Sequence, residues 1–263
     1  MGLAVDGDTV FVVDPGRGRA ITTFDWNGEL IAVGQLPLSH PPLVVRARAS
    51  QMYVLAYPAA NPAQEAEEGR DRVWIIDSGR EVIGHGCSAD PRYIESNVQD
   101  GRIGRMLGGS IALEADRLYC VQAISPMIQV MGLDGGELGV ITIRPPFYQD
   151  PVDAPFAMDR EHALQFLSEW TAHRGVYPLR EGTGFVSVYS QYDQSIEDFR
   201  YWLFRCAIGQ ELKVTRCATA EMAQKPILVT PDGTVFLEEE LSASGAPVVG
   251  IYRMRNAGGT LIK

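Results

Sequence analysis

Three observations predict an all-β chain built as a β-propeller of four-stranded antiparallel blades. Short β-rich runs recur, each closing on a turn and an apolar residue: FDWNGEL at Leu30, IIDSGREV at Val82, MGLDGGEL at Leu138, RCAIGQEL at Leu212 and RNAGGTL at Leu261. These positions lie 52, 56, 74 and 49 residues apart, which suits a propeller unit of about 40–50 residues lengthened by insertions. Turn pairs such as Asp6-Gly7, Asn27-Gly28, Asp134-Gly135 and Asp232-Gly233 separate several of the runs and supply the positive φ angles that tight hairpins need. A lone meander cannot bury both of its faces, whereas radially stacked meanders can. A β-sandwich, the competing all-β arrangement, does not require five similar units.

Each unit resolves into four strands, A to D. The first has strands at 2–5, 9–14, 20–25 and 30–34, and the second at 43–47, 51–57, 72–77 and 81–84. The third has 110–114, 117–123, 127–132 and 138–143, and the fourth 176–180, 184–190, 200–206 and 211–216. The fifth has 226–230, 234–239, 248–254 and 260–263. VFVV, MYVLAY, VWII, FVSVY and YWLF carry the β-branched and aromatic residues that strands favour. One helix is expected, at 159–173, where Ala163, Phe166, Leu167 and Trp170 fall at i, i+3, i+4 and i+7.

The 263 residues are 46% hydrophobic and 21% charged, an ordinary globular composition that treats the whole chain as a single propeller domain. With 23 basic against 33 acidic residues the net charge is −10. That balance argues against phosphate-backbone binding, which needs clustered Lys and Arg. No apolar run reaches the ~18–20 residues of a membrane-spanning helix. The opening MGLAVDGDTVFVVD shows no charged n-region, apolar h-region or lipidation motif, and taken literally points to the cytoplasm.

Cys87, Cys120, Cys206 and Cys217 form no CxxC pair and no zinc spacing. A hairpin turn centred on Gly209-Gln210 sets Cys206 opposite Lys213 and Cys217 opposite Trp202. The two sulfurs then start on the order of 13 Å apart along the strand, beyond the ~7 Å Cα separation a disulfide tolerates. All four cysteines are therefore expected to be reduced and mostly buried.

The A–B and C–D turns of the units are short. The long insertions, 58–71, 87–109, 144–175, 191–199 and 240–247, all belong to the B–C and D–A set, on the opposite face. Long loops on a rigid scaffold are where binding usually resides. The largest insertion supplies Phe147, Tyr148, Phe156 and Trp170 as candidate anchors for a protein partner, since interface cores favour aromatics; packing of the insertion onto its own domain is their other role. The acidic stretch 63–71, with Glu65, Glu67 and Glu68, is a solvated face or, if functional, steers toward a basic partner.

Catalytic constellations are weaker. His40, His85, His162 and His173 map to or near the long-loop face but match no metal motif, and His162 and His173 lie too far apart to chelate one ion from a single helix. Glu238, Glu239 and Glu240 follow one strand B, and Asp193, Glu197 and Asp198 occupy the corresponding loop of the preceding unit. A cation or acid–base site at a central channel would draw on Glu238, Glu240 and Asp193 with His40. No GxSxG, Walker loop or GxGxxG after a strand is present, and no cofactor is expected.

The stretch GDTVFVVDPGRGRAITTFDWNGELIAV (7–33) resembles a blade of the bacterial six-bladed β-propeller family related to NHL-repeat proteins: an apolar strand ending in Asp, a turn, a strand ending in Phe-Asp, then x-Gly and another strand. RLYCVQAISPMIQVMGLDGGELGVI (117–141) is similar, and PDGTVFLEEE (231–240) more loosely so. The resemblance implies six-bladed ancestry, although five units are visible, and a periplasmic or envelope-associated setting. The combined expectation is a non-catalytic, protein-binding propeller, an accessory or extrinsic subunit of a larger envelope or membrane-associated complex such as an electron-transfer assembly. A metal-dependent hydrolase, lactonase or lyase with its site at the central channel is the alternative.

Overall fold

Alternating apolar and polar residues, broken every six to eight positions by turn chemistry, leave the backbone one economical solution, the antiparallel meander. The computed structural model describes residues 2–14, 19–38, 40–57, 71–90, 108–151, 164–165, 167–239 and 248–253. Among them five sheets form, each with its strands in chain order. The first holds β1 (Gly2–Asp6), β2 (Thr9–Asp14), β3 (Ala20–Asp25) and β4 (Leu30–Gln35), and the second β5 (Pro42–Arg48), β6 (Gln51–Ala56), β7 (Asp71–Ile76) and β8 (Val82–Ser88). The third holds β9 (Gly109–Leu113), β10 (Arg117–Gln122), β11 (Met127–Gly132) and β12 (Glu137–Thr142). The fourth has β13 (Ala172–Pro178), β14 (Gly184–Asp193), β15 (Asp198–Ile208) and β16 (Val214–Met222), and the fifth β17 (Pro226–Val229), β18 (Thr234–Glu239) and β19 (Val248–Arg253). The fold class is a five-bladed β-propeller, and the strand expected at 260–263 lies outside the described residues.

The recurring strand-ending aspartate has a structural cause. The Asp25 carboxylate accepts the Glu29 backbone N–H at 2.7 Å and the Asp77 carboxylate accepts that of Glu81 at 2.8 Å, closing the same turn in two sheets. The backbone N–H bond from Glu29 holds the Asp25 carboxyl below its ordinary value. Asp134 does similar work for Gly136 at 3.0 Å, beside Gly135 at φ 92°.

Two compact units make up the chain, residues 1–122 with 129–139 and residues 123–128 with 140–263. Within the first, Ala4, Val13 and Ile21 pack on Val45, Met52, Val54 and Ile76 of the second sheet. The opposite face of that sheet, Tyr53, Leu55, Val73 and Ile75, packs on Ile111, Leu118 and Met131. Within the second unit, Val186, Val188 and Leu203 meet Val229, Val235 and Leu237. Blades approach closely at Gly84, where an added Cβ would stand 2.7 Å from the Asp134 carbonyl oxygen. Gly84→Ala should destabilise by about 1–3 kcal/mol in urea unfolding, because backbone cannot step aside. Gly34→Ala, which meets only the far end of the Arg80 side chain, should be nearly neutral.

The cysteines are not reduced. Cys87 and Cys120 form a disulfide that ties β8 to β10, with Cα atoms 6.3 Å apart, and Cys206 and Cys217 form a second, with Cα atoms 4.1 Å apart. The expected hairpin register fails because the turn is wider than two residues. Gln210–Leu212 makes a 3₁₀ turn with Glu211 and Leu212 at φ 56° and 57°, and a register shift follows Ala207. Cys206 therefore stands directly opposite Cys217, and strand D begins at Val214 rather than 211.

Two further expectations change. The stretch 191–199 is not a long loop: β14 and β15 pair as far as Asp193 opposite Asp198, leaving a four-residue turn. The helix expected at 159–173 is helical at 164–165 and 167–168, while Ala172 and His173 belong to β13. Sheet pairing decides those two residues, which lie opposite Ser190 and Tyr189. The rest of that stretch, up to residue 163, and residue 166 lie outside the described residues. The connections that remain long, 57–70, 89–108 and 143–171, are all of the B–C or D–A kind, and the insertion expected at 240–247 lies outside the described residues.

Candidate functional site

The β14–β15 hairpin is the longest among the described residues, at ten and eleven residues. Period-two alternation sorts β15 into two faces. Tyr201 and Leu203 face the core shared with the fifth sheet, whereas Arg200, Trp202 and Phe204 lie on the other side. On that side the insertion after β12 comes to rest. Phe147 packs on Trp202 at a tilt, with ring centroids 4.3 Å apart, and reaches Phe204 at 5.9 Å. The Thr171 N–H donates to the Gln149 carbonyl at 3.0 Å, and the Gln149 N–H donates to the Thr171 hydroxyl at 3.1 Å. The two ends of the insertion are thus laced together. Gln191 then fastens them to the hairpin, its amide donating to the Gln149 side chain and the Ser168 carbonyl, both at 2.7 Å.

Beside this aromatic platform lies a cavity of about 380 Å³ lined by Ser168, Gln191, Asp193, Gln194, Arg200 and Trp202, among others. Its electrostatics are set by Arg200, whose guanidinium donates to Asp193 at 2.5 Å and to Glu221 at 3.1 Å. Asp193 also accepts the Ser195 N–H at 2.8 Å and the Ser195 hydroxyl at 2.6 Å. Those bonds, with Arg200, hold its carboxyl below the ordinary range. The result is a half-buried indole edged by amides and a fixed Asp–Arg–Glu array, a surface suited to recognising polar and aromatic groups.

The expected site residues distribute unevenly. Phe147 is half-buried on the platform. Tyr148 and Trp170 are buried, the Tyr148 hydroxyl donating to the Ile124 carbonyl at 3.1 Å and its ring meeting Tyr189 edge-on; both take the packing role. Phe156, Glu65, Glu67, Glu68, Glu240 and His162 lie outside the described residues. His40 is buried, its ring stacked on Trp74 at 6.3 Å. Glu238 is exposed and accepts from Lys225 at 3.0 Å, and Asp193 is engaged as above. Among the described residues no three His, Cys, Asp or Glu side chains are grouped where they could hold one ion. Sequence reading missed Trp202, Arg200 and Gln191, although the alternation in RYWLF already puts Arg200, Trp202 and Phe204 on one face.

One arrangement has the outline of chemistry. His173 Nδ1 lies 3.1 Å from the Ser125 carbonyl, which can only accept, so Nδ1 carries the proton and Nε2 accepts from the Ser187 hydroxyl at 2.5 Å. A serine bonded to an imidazole is the start of a nucleophile–base pair. Here both side chains have no exposed surface, and the imidazole is stacked on Tyr189 at 4.4 Å. No substrate reaches the hydroxyl, and the pair serves as a satisfied polar centre of the fourth sheet. Burial drives the His173 pKa down to about 4.

By sequence the chain matches no family model and no curated protein. By structure it is similar to a member of the DUF4221 family from Bacteroides vulgatus, at a TM-score of 0.56 and 8% identity, over 94% of this chain and 76% of that one. It is also similar to BamB from Moraxella catarrhalis, at TM-score 0.41 and 9% identity over 96% and 85% of the two chains. A candidate 6-phosphogluconolactonase from Bacteroides fragilis gives 0.47 and 12% identity over 99% and 82%. At these identities the likeness concerns the fold alone.

Proposed function

We propose that the protein is a non-catalytic, protein-binding β-propeller of six-bladed, NHL-related ancestry, an accessory subunit of a larger envelope or membrane-associated complex. The observation that carries this reading is the platform of Phe147 and Trp202 beside the Asp193–Arg200–Glu221 array, an aromatic anchor flanked by fixed charges. Interfaces concentrate their binding energy in such anchors. Two disulfides support an oxidising compartment such as the periplasm. The acidic stretch containing Glu65, Glu67 and Glu68 favours a partner whose facing surface is basic, with binding that weakens as salt rises.

Affinity isolation from the native source under mild cross-linking tests the reading. The wild-type chain should retain a defined protein partner, and the Phe147→Ala/Trp202→Ala double variant should retain it about tenfold less or worse, as loss of a central aromatic anchor predicts. The thermal midpoint of the variant, read in parallel, separates lost binding from lost folding. Equal retention by both chains, or stoichiometric Ca²⁺ or Zn²⁺ with lactone hydrolysis, would replace this reading with another.

A further inference from the structure

The side chains lining the cavity beside Trp202 spend only part of their hydrogen-bonding capacity on each other, and what is left over defines a ligand. The Gln191 amide places both of its hydrogens, on the Gln149 side chain and the Ser168 carbonyl. That fixes the position of its carbonyl oxygen, to which nothing among the described residues donates. Gln194 repeats the pattern: its amide donates to the Ser168 hydroxyl at 3.1 Å, and its oxygen has no donor among the described residues. Arg200 gives Nε to Asp193 and Nη1 to Glu221, so Nη2 keeps two hydrogens to offer. Trp202 adds an indole N–H without an acceptor among the described residues. These four residues line one cavity and belong to one compact unit.

Charge narrows the choice of ligand. The Arg200 guanidinium is already met by two carboxylates, so the array is net negative and repels an anion. Asp193 in turn accepts from the Ser195 N–H, the Ser195 hydroxyl and Arg200, which leaves it little capacity for a cation. A neutral ligand remains, and it must both donate to two amide oxygens and accept from a guanidinium and an indole. Hydroxyl groups do both. It must also carry an apolar face, because one wall is the half-buried Trp202 ring. A pyranose with equatorial hydroxyls meets both demands, polar around its edge and lined with C–H bonds across its faces. The volume of about 380 Å³ falls within the ~300–1,000 Å³ usual for small-molecule sites.

We propose that this cavity binds a neutral saccharide, a β-linked pyranoside laid on the Trp202 indole and hydrogen-bonded to Gln191, Gln194 and Arg200. The sugar goes beyond the protein-binding reading and does not rest on it.

Titration of the purified full chain with cellobiose, followed by heteronuclear NMR, is the test. The Trp202 indole N–H resonance, assigned by its loss in Trp202→Phe, should shift and saturate in the millimolar range. Gln194→Leu, at an exposed position of the β14–β15 turn, removes one acceptor and should weaken binding about three- to tenfold. Arg200→Lys keeps the charge but loses the planar fork, and should weaken binding by a similar factor. An indole resonance that stays still up to the solubility limit of the sugar overturns the proposal. So do variants that bind as tightly as the wild type, which would put the sugar elsewhere. An equal shift with inorganic phosphate would make the cavity an anion site and overturns it too. No partner is present in this experiment, so its failure leaves the protein-binding reading standing.

Discussion

Reducing both disulfides should lower the unfolding free energy by about 6 kcal/mol and the thermal midpoint by roughly 10–20 °C. The cysteines of the first bridge are 33 residues apart and those of the second 11. Closing loops of those lengths restricts the unfolded chain by about 3–4 and about 3 kcal/mol respectively. The bridges also differ in what they join. Cys206 and Cys217 are already opposite one another in a paired hairpin, so their bond adds little to native order. Cys87 and Cys120 link the last strand of one sheet to the second strand of the next, in the core that holds Tyr53, Leu55 and Ile111.

Cys87→Ala/Cys120→Ala should therefore show the larger loss, and its hydrogen exchange should rise in both the second and the third sheet. Cys206→Ala/Cys217→Ala should loosen mainly the β15–β16 hairpin. Urea unfolding with and without a strong reductant measures the sum, and the paired variants apportion it. Superimposable curves with and without reductant would show that the bridges do not form.

What the sequence conceals here is register, and the reason is local. Strand existence is written in VFVV, MYVLAY or YWLF and needs only a few neighbouring residues to read. Register depends on how many residues a turn consumes. RCAIGQEL offers Gly209 as a turn residue, but nothing in it announces that Glu211 and Leu212, neither of them a usual left-handed residue, both adopt positive φ. That wider turn moves Cys217 from beside Trp202 to beside Cys206. The 87–120 bridge is hidden for a different reason, since it joins separate sheets and no local pattern encodes a tertiary approach. The candidate site divides the same way. One-sided placement of Arg200, Trp202 and Phe204 follows from alternation, whereas the landing of Phe147 on Trp202 is tertiary. The helix expected through His173 shows pairing overriding periodicity, for apolar spacing alone does not register the strand waiting at Tyr189 and Ser190.

Acidification from pH 7 to pH 4 should cost the fold about 3 kcal/mol through a single side chain, His173. Its folded pKa is about 4, against about 6.5 in an unfolded chain. Between those values the unfolded state binds a proton that the folded state refuses, so stability rises with pH. The contribution is fully present above about pH 6.5 and is lost as pH falls, until both states are protonated near pH 4. Asp25 and Asp193, whose carboxyls are held below their ordinary value, lose most of their contributions as pH falls further, so among the described groups the window from 6.5 to 4 reports chiefly on the imidazole. His173→Gln keeps a donor for the Ser125 carbonyl and an acceptor for the Ser187 hydroxyl without a titrating group. Its unfolding free energy should change little across that window, although loss of the ring stacked on Tyr189 should make it less stable than the wild type at pH 7. Ser187→Ala is the complementary probe. It leaves Nε2 buried without its donor, at a cost of about 1–3 kcal/mol at neutral pH, but retains most of the acid slope, because burial rather than the serine sets that pKa. Urea unfolding at half-unit pH intervals distinguishes the three chains. A wild-type slope that survives in His173→Gln would move the acid sensitivity to another group and leave the imidazole of the fourth sheet solvated in a way its burial does not permit.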